Sequence, residues 1–114
     1  MNPDGVDAMV RAAIGGNLEA GAWVMTHADT IDDAVLITMA ALLERLPDRL
    51  DRAAAVALTN RDRQVVAIAR AHLRRDRERV DALARDHLVD HPDSLIVAWI
   101  AGDAVERARG AHRP

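Results

Sequence analysis

The chain has 114 residues, a mass of 12.4 kDa and a formal net charge of −3, set by 15 basic and 18 acidic side chains. That length holds one domain or one slice of a repeat array, and a second independent core does not fit. With no Cys there is neither a disulfide framework nor a thiolate metal site, so the expected setting is a reducing compartment, the cytoplasm.

The opening stretch is acidic where a signal peptide carries positive charge. No apolar run approaches the ~18 residues of a spanning helix, so no membrane partner is expected. Phe, Tyr and Lys are absent, Ser94 is the only serine, and Trp23 and Trp99 are the only large aromatics. Side chains that commonly act as nucleophiles are thus scarce, which weighs against an enzyme and against a resident cofactor. Abundant Ala and thin aromatic and β-branched content favour helix over sheet.

In chain order, Val6, Met9, Val10, Ala13 and Ile14 carry the spacing of one apolar helix face over 4–14, stopped by Gly15-Gly16. Asn17 is placed as the N-cap of a second helix over 18–28, with Leu18, Ala22, Met25 and Ala28 as its stripe. Thr30-x-x-Asp33 resembles a capping box, followed by Ile31, Val35, Met39, Leu42 and Leu46 on a third helix over 31–46. Pro47 suits the first turn of a fourth, 47–58, bearing Leu50, Ala54 and Leu58.

After the break at Thr59-Asn60 come two stripes of equal phase. Val65, Ile68, Ala69, His72 and Leu73 lie on 60–75, and Val80, Leu83, Ala84, His87 and Leu88 on 76–90. Pro92 ends the sixth helix, and Asp93 or Ser94 caps a seventh over 93–109. The turns are short, so sequential helices lie antiparallel. The breaks at Asn17, Asp48 and Asp76 recur a little below the ~34 residues of helix-turn-helix repeats. The expectation is one all-α domain, 1–114, of stacked antiparallel hairpins over 4–28, 31–58 and 60–90, closed by a capping helix over 93–109.

The segment from Leu58 to Trp99 opens on Leu58-Thr59-Asn60-Arg61-Asp62 and leads through a helix pair to Asp90-His91-Pro92 and a further helix. It resembles the tetratricopeptide repeat protein 38-like family. The resemblance implies a helical-repeat scaffold with no catalytic residues. It sets Pro92 as the closing proline, Asp76 at the inter-helix turn, and Val80 and Gly102 at small packing positions. The large aromatics usual in such repeats are replaced here by Ala, Val and Leu, and family members are several times longer.

Two clusters invite chemistry. His87 and His91 stand four apart within Asp86-His87-x-x-Asp90-His91-x-Asp93 and share a helix face, as two metal ligands must. His87 also falls on its helix's apolar stripe and no Glu-x-x-His partner occurs elsewhere, so a core-edge histidine is the stronger reading and no metal is assigned.

Residues 61–85 carry eight Arg against four acids, whereas 1–33 carry one Arg against six acids. The basic stretch reads as a solvated face laced with ion pairs between Arg75 or Arg79 and Glu78 or Asp81. A nucleic-acid contact and a head-to-tail contact between chains are its weaker alternatives, and a small ligand- or metal-binding helical domain using His87 and His91 is the alternative from another class.

The run Leu95–Ala101 is apolar on every side of a helix, which implies burial on two faces or a patch that another copy covers. In the register that the resemblance suggests, Trp99, Asp103 and Arg107 point into the concave surface, with Arg70 and His72 nearby. These five are the candidate contacts for a protein or peptide.

Overall fold

Helix formation starts from caps that the sequence supplies. Asn17 accepts from the Ala20 amide at 3.0 Å, Asp33 from Leu36 at 2.9 Å, Thr59 from Asp62 at 3.1 Å and Asp76 from Arg79 at 3.2 Å. Each satisfies an orphan first-turn donor. The computed structural model describes residues 3–102. It contains α1 (Pro3–Ile14), α2 (Leu18–His27), α3 (Ala34–Glu44), α4 (Arg49–Val56), α5 (Asn60–Leu73) and α6 (Arg77–Asp90). A seventh, α7, is helical over 95–102, the Ser94 carbonyl accepting its first bond from the Ala98 amide at 3.1 Å.

The helices pair antiparallel as α1/α2, α3/α4 and α5/α6. Between pairs, α1 packs on α3 and α3 on α5, while α2 also meets α3 and α4 also meets α5. Among the described residues α2, α4 and α6 touch one another far less. The row therefore bends with its first helices inside. Its extents of 46 × 29 × 26 Å fit an elongated stack of hairpins.

The first helix of every pair ends in the same way. Backbone bonds of 3.0 Å join Asn17 to Ala12, Leu46 to Ala41 and Asp76 to Ala71, each spanning five residues in the Schellman pattern. The residue before each donor has positive φ: Gly16 at 93°, Arg45 at 55° and Arg75 at 61°. From 16 to 45 is 29 residues and from 45 to 75 is 30, so the repeat is shorter than the ~34 of the tetratricopeptide type. Val6, Val35 and Val65 recur in that register, as do the buried Gly21, Leu50 and Val80.

The core centres on α3, which is buried nearly all round: Leu36, Ile37, Met39, Ala40 and Ala41 are each sealed from solvent. The expected stripe of Ile31, Val35, Met39, Leu42 and Leu46 is corrected accordingly. Ile31 precedes the helix, and Leu46 lies beyond it and is exposed. The cap is Asp33 and not Thr30, because residues 28–31 form a turn in which the Ile31 and Thr30 amides donate to the His27 carbonyl.

That turn is held from outside. Arg52 of α4 donates to the carbonyls of Ala28 and Ile31 and pairs with Asp32 at 2.7 Å, while Arg49 bridges Asp29 and Glu44 at 2.8 and 3.0 Å. No local pattern reveals a guanidinium arriving from twenty residues away.

Other stripes shift as well. On α2 the buried face is Ala20, Gly21 and Val24, with Ala28 just beyond, whereas Leu18 is 89% exposed and Ala22 points outward. The face that α2 turns to α3 is made of small residues, and a Cβ on Gly21 would meet Leu43 at 3.8 Å, an ordinary contact. On α4, Leu50 and Ala53 are buried, while Ala54 and Leu58 face solvent. The α5 and α6 stripes hold, with Val65, Ile68, Ala69, Val80, Ala84 and His87 inside.

The run expected to be apolar on every side is in fact two-faced. Ile96, Val97 and Ile100 are buried in the common core, Trp99 is half-buried against it, and only Leu95 and Ala98 of the run are exposed. Asp76 caps α6 and Val80 is buried. Gly102 is exposed, with nothing within 4 Å of where a Cβ would stand.

Candidate functional site

Because the first helices run side by side on the inside of the bend, residues from successive hairpins converge there. One cavity of about 250 Å³ is lined by Val6 and Asp7 of α1, Asp32 to Val35 at the start of α3, Val56 of α4, and Leu58 and Asp62 at the start of α5. A shallower one of about 60 Å³ is lined from α1, α3, α5 and α7 together, including Val10, Val35, Val65 and Ile96. Asp7, Val10 and Val35 border both, so the two form one continuous cleft along the first-helix layer.

The larger cavity has an aliphatic floor and a carboxylate rim, whereas the smaller one is bordered by Arg11 and Arg61 as well as Asp7. Leu58 is 86% exposed at the edge of the larger, an uncovered large apolar side chain. The rim acids are held in place by local bonds: Asp7 pairs with Arg11 at 2.8 Å, Asp32 with Arg52, and Asp33 caps α3. Asp62 lies in the first turn of α5, where a negative charge meets the positive end of the helix dipole. The residues of the larger cavity include neither a hydroxyl nor an imidazole. Its lining offers hydrophobic contact and cation recognition.

No family model, curated protein or solved structure matches this chain. The reading of the cleft therefore rests on its own geometry.

The residues singled out from sequence lie elsewhere. Arg70 reaches back to Asp51 of α4 at 3.2 Å, joining the second hairpin to the third. His72 is half-buried and lines a separate cavity of about 170 Å³ with Arg45, Pro47, Leu73 and Arg75. Trp99 packs on the core, and Asp103 and Arg107 lie outside the described residues. Neither cavity of the cleft is lined by Arg70, His72 or Trp99. The cleft residues left a signal, Val6, Val35 and Val65 at intervals of 29 and 30, which becomes visible once the repeat is aligned on its Schellman turns rather than on its breaks.

His87 is 2% exposed, its Nδ1 lies 2.7 Å from Gln64 Oε1, and its ring centroid is 4.9 Å from that of His91. Burial holds its pKa below 6.5, helped by His91 and Arg61 and opposed by Asp90 and Asp93. Its Nε2 is buried without a hydrogen-bond partner. Among the described residues no three His, Asp or Glu side chains stand together as metal ligands. Nor does any described helix have the length and hydropathy to cross a membrane.

The basic stretch also differs from expectation. Arg74, Arg75, Arg77 and Arg79 are exposed, and neither Glu78 nor Asp81 lies within 4 Å of a guanidinium among the described residues. The only helical i,i+4 ion pair among the described residues is Asp7 with Arg11.

Proposed function

We propose that the chain is a non-enzymatic helical-repeat module, of the tetratricopeptide type that residues 58–99 resemble, which binds a protein segment in the cytoplasm. The observation that carries this reading is the continuous cleft of aliphatic and carboxylate side chains lined by the first helix of successive hairpins. A helical stack that leaves such a cleft open suits an extended or helical segment, whose aliphatic side chains fill the floor while its cations meet the rim.

The test is selection of peptides from a random displayed library against the immobilised chain. Sequences combining Leu, Ile or Val with Arg or Lys are expected to enrich, and to lose binding about tenfold or more when Leu58 is replaced by Gln and Asp62 by Asn. Absence of enrichment, or peptides that bind the double variant equally well, would overturn the reading.

A further inference from the structure

We infer that the segment received by the cleft is the paired α3–α4 and α5–α6 turns of a second copy of this chain. This rests on the cleft being a binding groove, and it names the occupant. The two turns meet around the cavity lined by Arg45, Pro47, His72, Leu73 and Arg75. Beside it Leu46 is 45% exposed. The turns therefore present apolar side chains set among guanidinium groups, the counterpart of a cleft that sets Val6, Val35 and Leu58 among Asp7, Asp32, Asp33 and Asp62.

The ion pairing within one molecule divides its arginines into two groups. Arg11, Arg49, Arg52, Arg61 and Arg70 each hold a carboxylate of their own chain. Arg45, Arg63, Arg74, Arg75, Arg77, Arg79 and Arg85 are exposed and form no ion pair within 4 Å among the described residues. Five of these seven, Arg45, Arg74, Arg75, Arg77 and Arg79, lie in or next to the turn pair, while Arg63 and Arg85 stand apart from it. Guanidinium groups are weakly hydrated and their stems cover apolar surface, so docking them against a mixed floor costs less desolvation than docking ammonium groups.

The overall charge of −3 is small, so repulsion between copies is weak beside the attraction of these opposed patches. Since cleft and turns are different surfaces, the contact is heterologous. Each bound copy keeps one cleft or one turn pair open, and association propagates head to tail.

Sedimentation velocity of the full chain tests this. At low salt the mass is expected to rise with concentration above 12.4 kDa, and to return to that value in high salt. Two double variants with uncharged replacements separate the faces: Leu58→Gln with Asp62→Asn in the cleft, Asp62 being half-buried, and Arg74→Gln with Arg77→Gln at the exposed turn. Circular dichroism checks that each remains folded. Each alone should stay a single chain, and an equal mixture should form a two-chain species and nothing larger, because only one intact cleft and one intact turn pair remain.

A wild type that stays monomeric at every concentration and salt, or a variant that assembles as the wild type does, overturns the inference. If the wild type is monomeric yet the cleft variant still loses the selected peptides, self-docking falls and the groove reading stands. If it is monomeric and the turn variant alone loses salt-dependent binding to a duplex oligonucleotide, the arginines serve nucleic acid and self-docking falls.

Discussion

His87 of α6 donates from Nδ1 to Gln64 Oε1 of α5 across 2.7 Å, one bond between the two helices of the third hairpin made by an imidazole almost wholly withdrawn from water. That geometry selects the neutral tautomer protonated on Nδ1, because a carbonyl oxygen only accepts. It leaves Nε2 bare in a place where a second proton would find no partner.

Acid is therefore expected to loosen the third hairpin. The folded pKa of His87 lies below 6.5, so the unfolded chain binds this proton more readily. The stability is whole above the unfolded value and is lost as pH falls from there through the folded value. Thermal melts at about pH 8 and about pH 5 should show a larger fall in Tm for the wild type than for His87→Leu. Equal falls would place the acid sensitivity elsewhere. Gln64→Ala should cost about 1 to 2 kcal/mol at neutral pH, since it strands a buried donor.

Two non-glycine residues occupy the left-handed region where the first helices end, and both are arginines. Arg45 and Arg75 stand where α1 has Gly16, so a side chain pays a steric penalty twice that glycine avoids once. Arg45→Gly and Arg75→Gly should each stabilise the fold by about 0.5 to 1 kcal/mol, and Gly16→Ala should destabilise it by a similar amount. Urea unfolding in high salt, where chains are separate, reads the difference. Loss of stability on placing Gly at 45 and 75 would show that guanidinium contacts outweigh the backbone strain.

The all-α class and the hairpin order were legible because Gly15-Gly16, Pro47 and Pro92 break helices by backbone chemistry alone, and Asn17, Thr59 and Asp76 cap by local bonds. What stayed hidden depends on distant partners. Leu18 looks like a core residue until the packing of α2 on α3 turns Ala20 and Gly21 inward, and Leu95–Ala101 looks symmetric until the core takes only Ile96, Val97 and Ile100. The cleft was readable only in part: Val35 recurs with Val6 and Val65, whereas Asp7, Leu58 and Asp62 share no periodicity, and only the inward bend gathers them.

Exposure rather than residue type should rank the leucines. Leu36 is sealed within α3, which touches four other helices, so Leu36→Ala removes its packing and leaves a cavity, at a cost of about 3 kcal/mol. Leu18→Ala and Leu58→Ala, at 89% and 86% exposure, should each stay within about 0.5 kcal/mol. Chemical denaturation of the three variants in high salt, where the chains are separate, checks the order. A large loss at Leu58 would mean that the side chain is covered in solution, and by another chain.

Arg52 offers the sharpest separation of a hydrogen-bonding role from a charge role. Its guanidinium donates to the carbonyls of Ala28 and Ile31 while pairing with Asp32, whose side chain is 78% exposed. The exposed ion pair contributes little, whereas Ala28 is fully buried and its carbonyl draws a charged donor that water does not readily replace. Arg52→Met, which keeps the stem, should cost about 2 kcal/mol, and Asp32→Asn less than about 0.5. Arg52→Lys should not rescue the loss, because a single ammonium does not reproduce a planar fork across two carbonyls. Equal losses for Arg52→Met and Asp32→Asn would mean that charge, not the carbonyl contacts, holds the α2–α3 connection and with it the rim of the cleft.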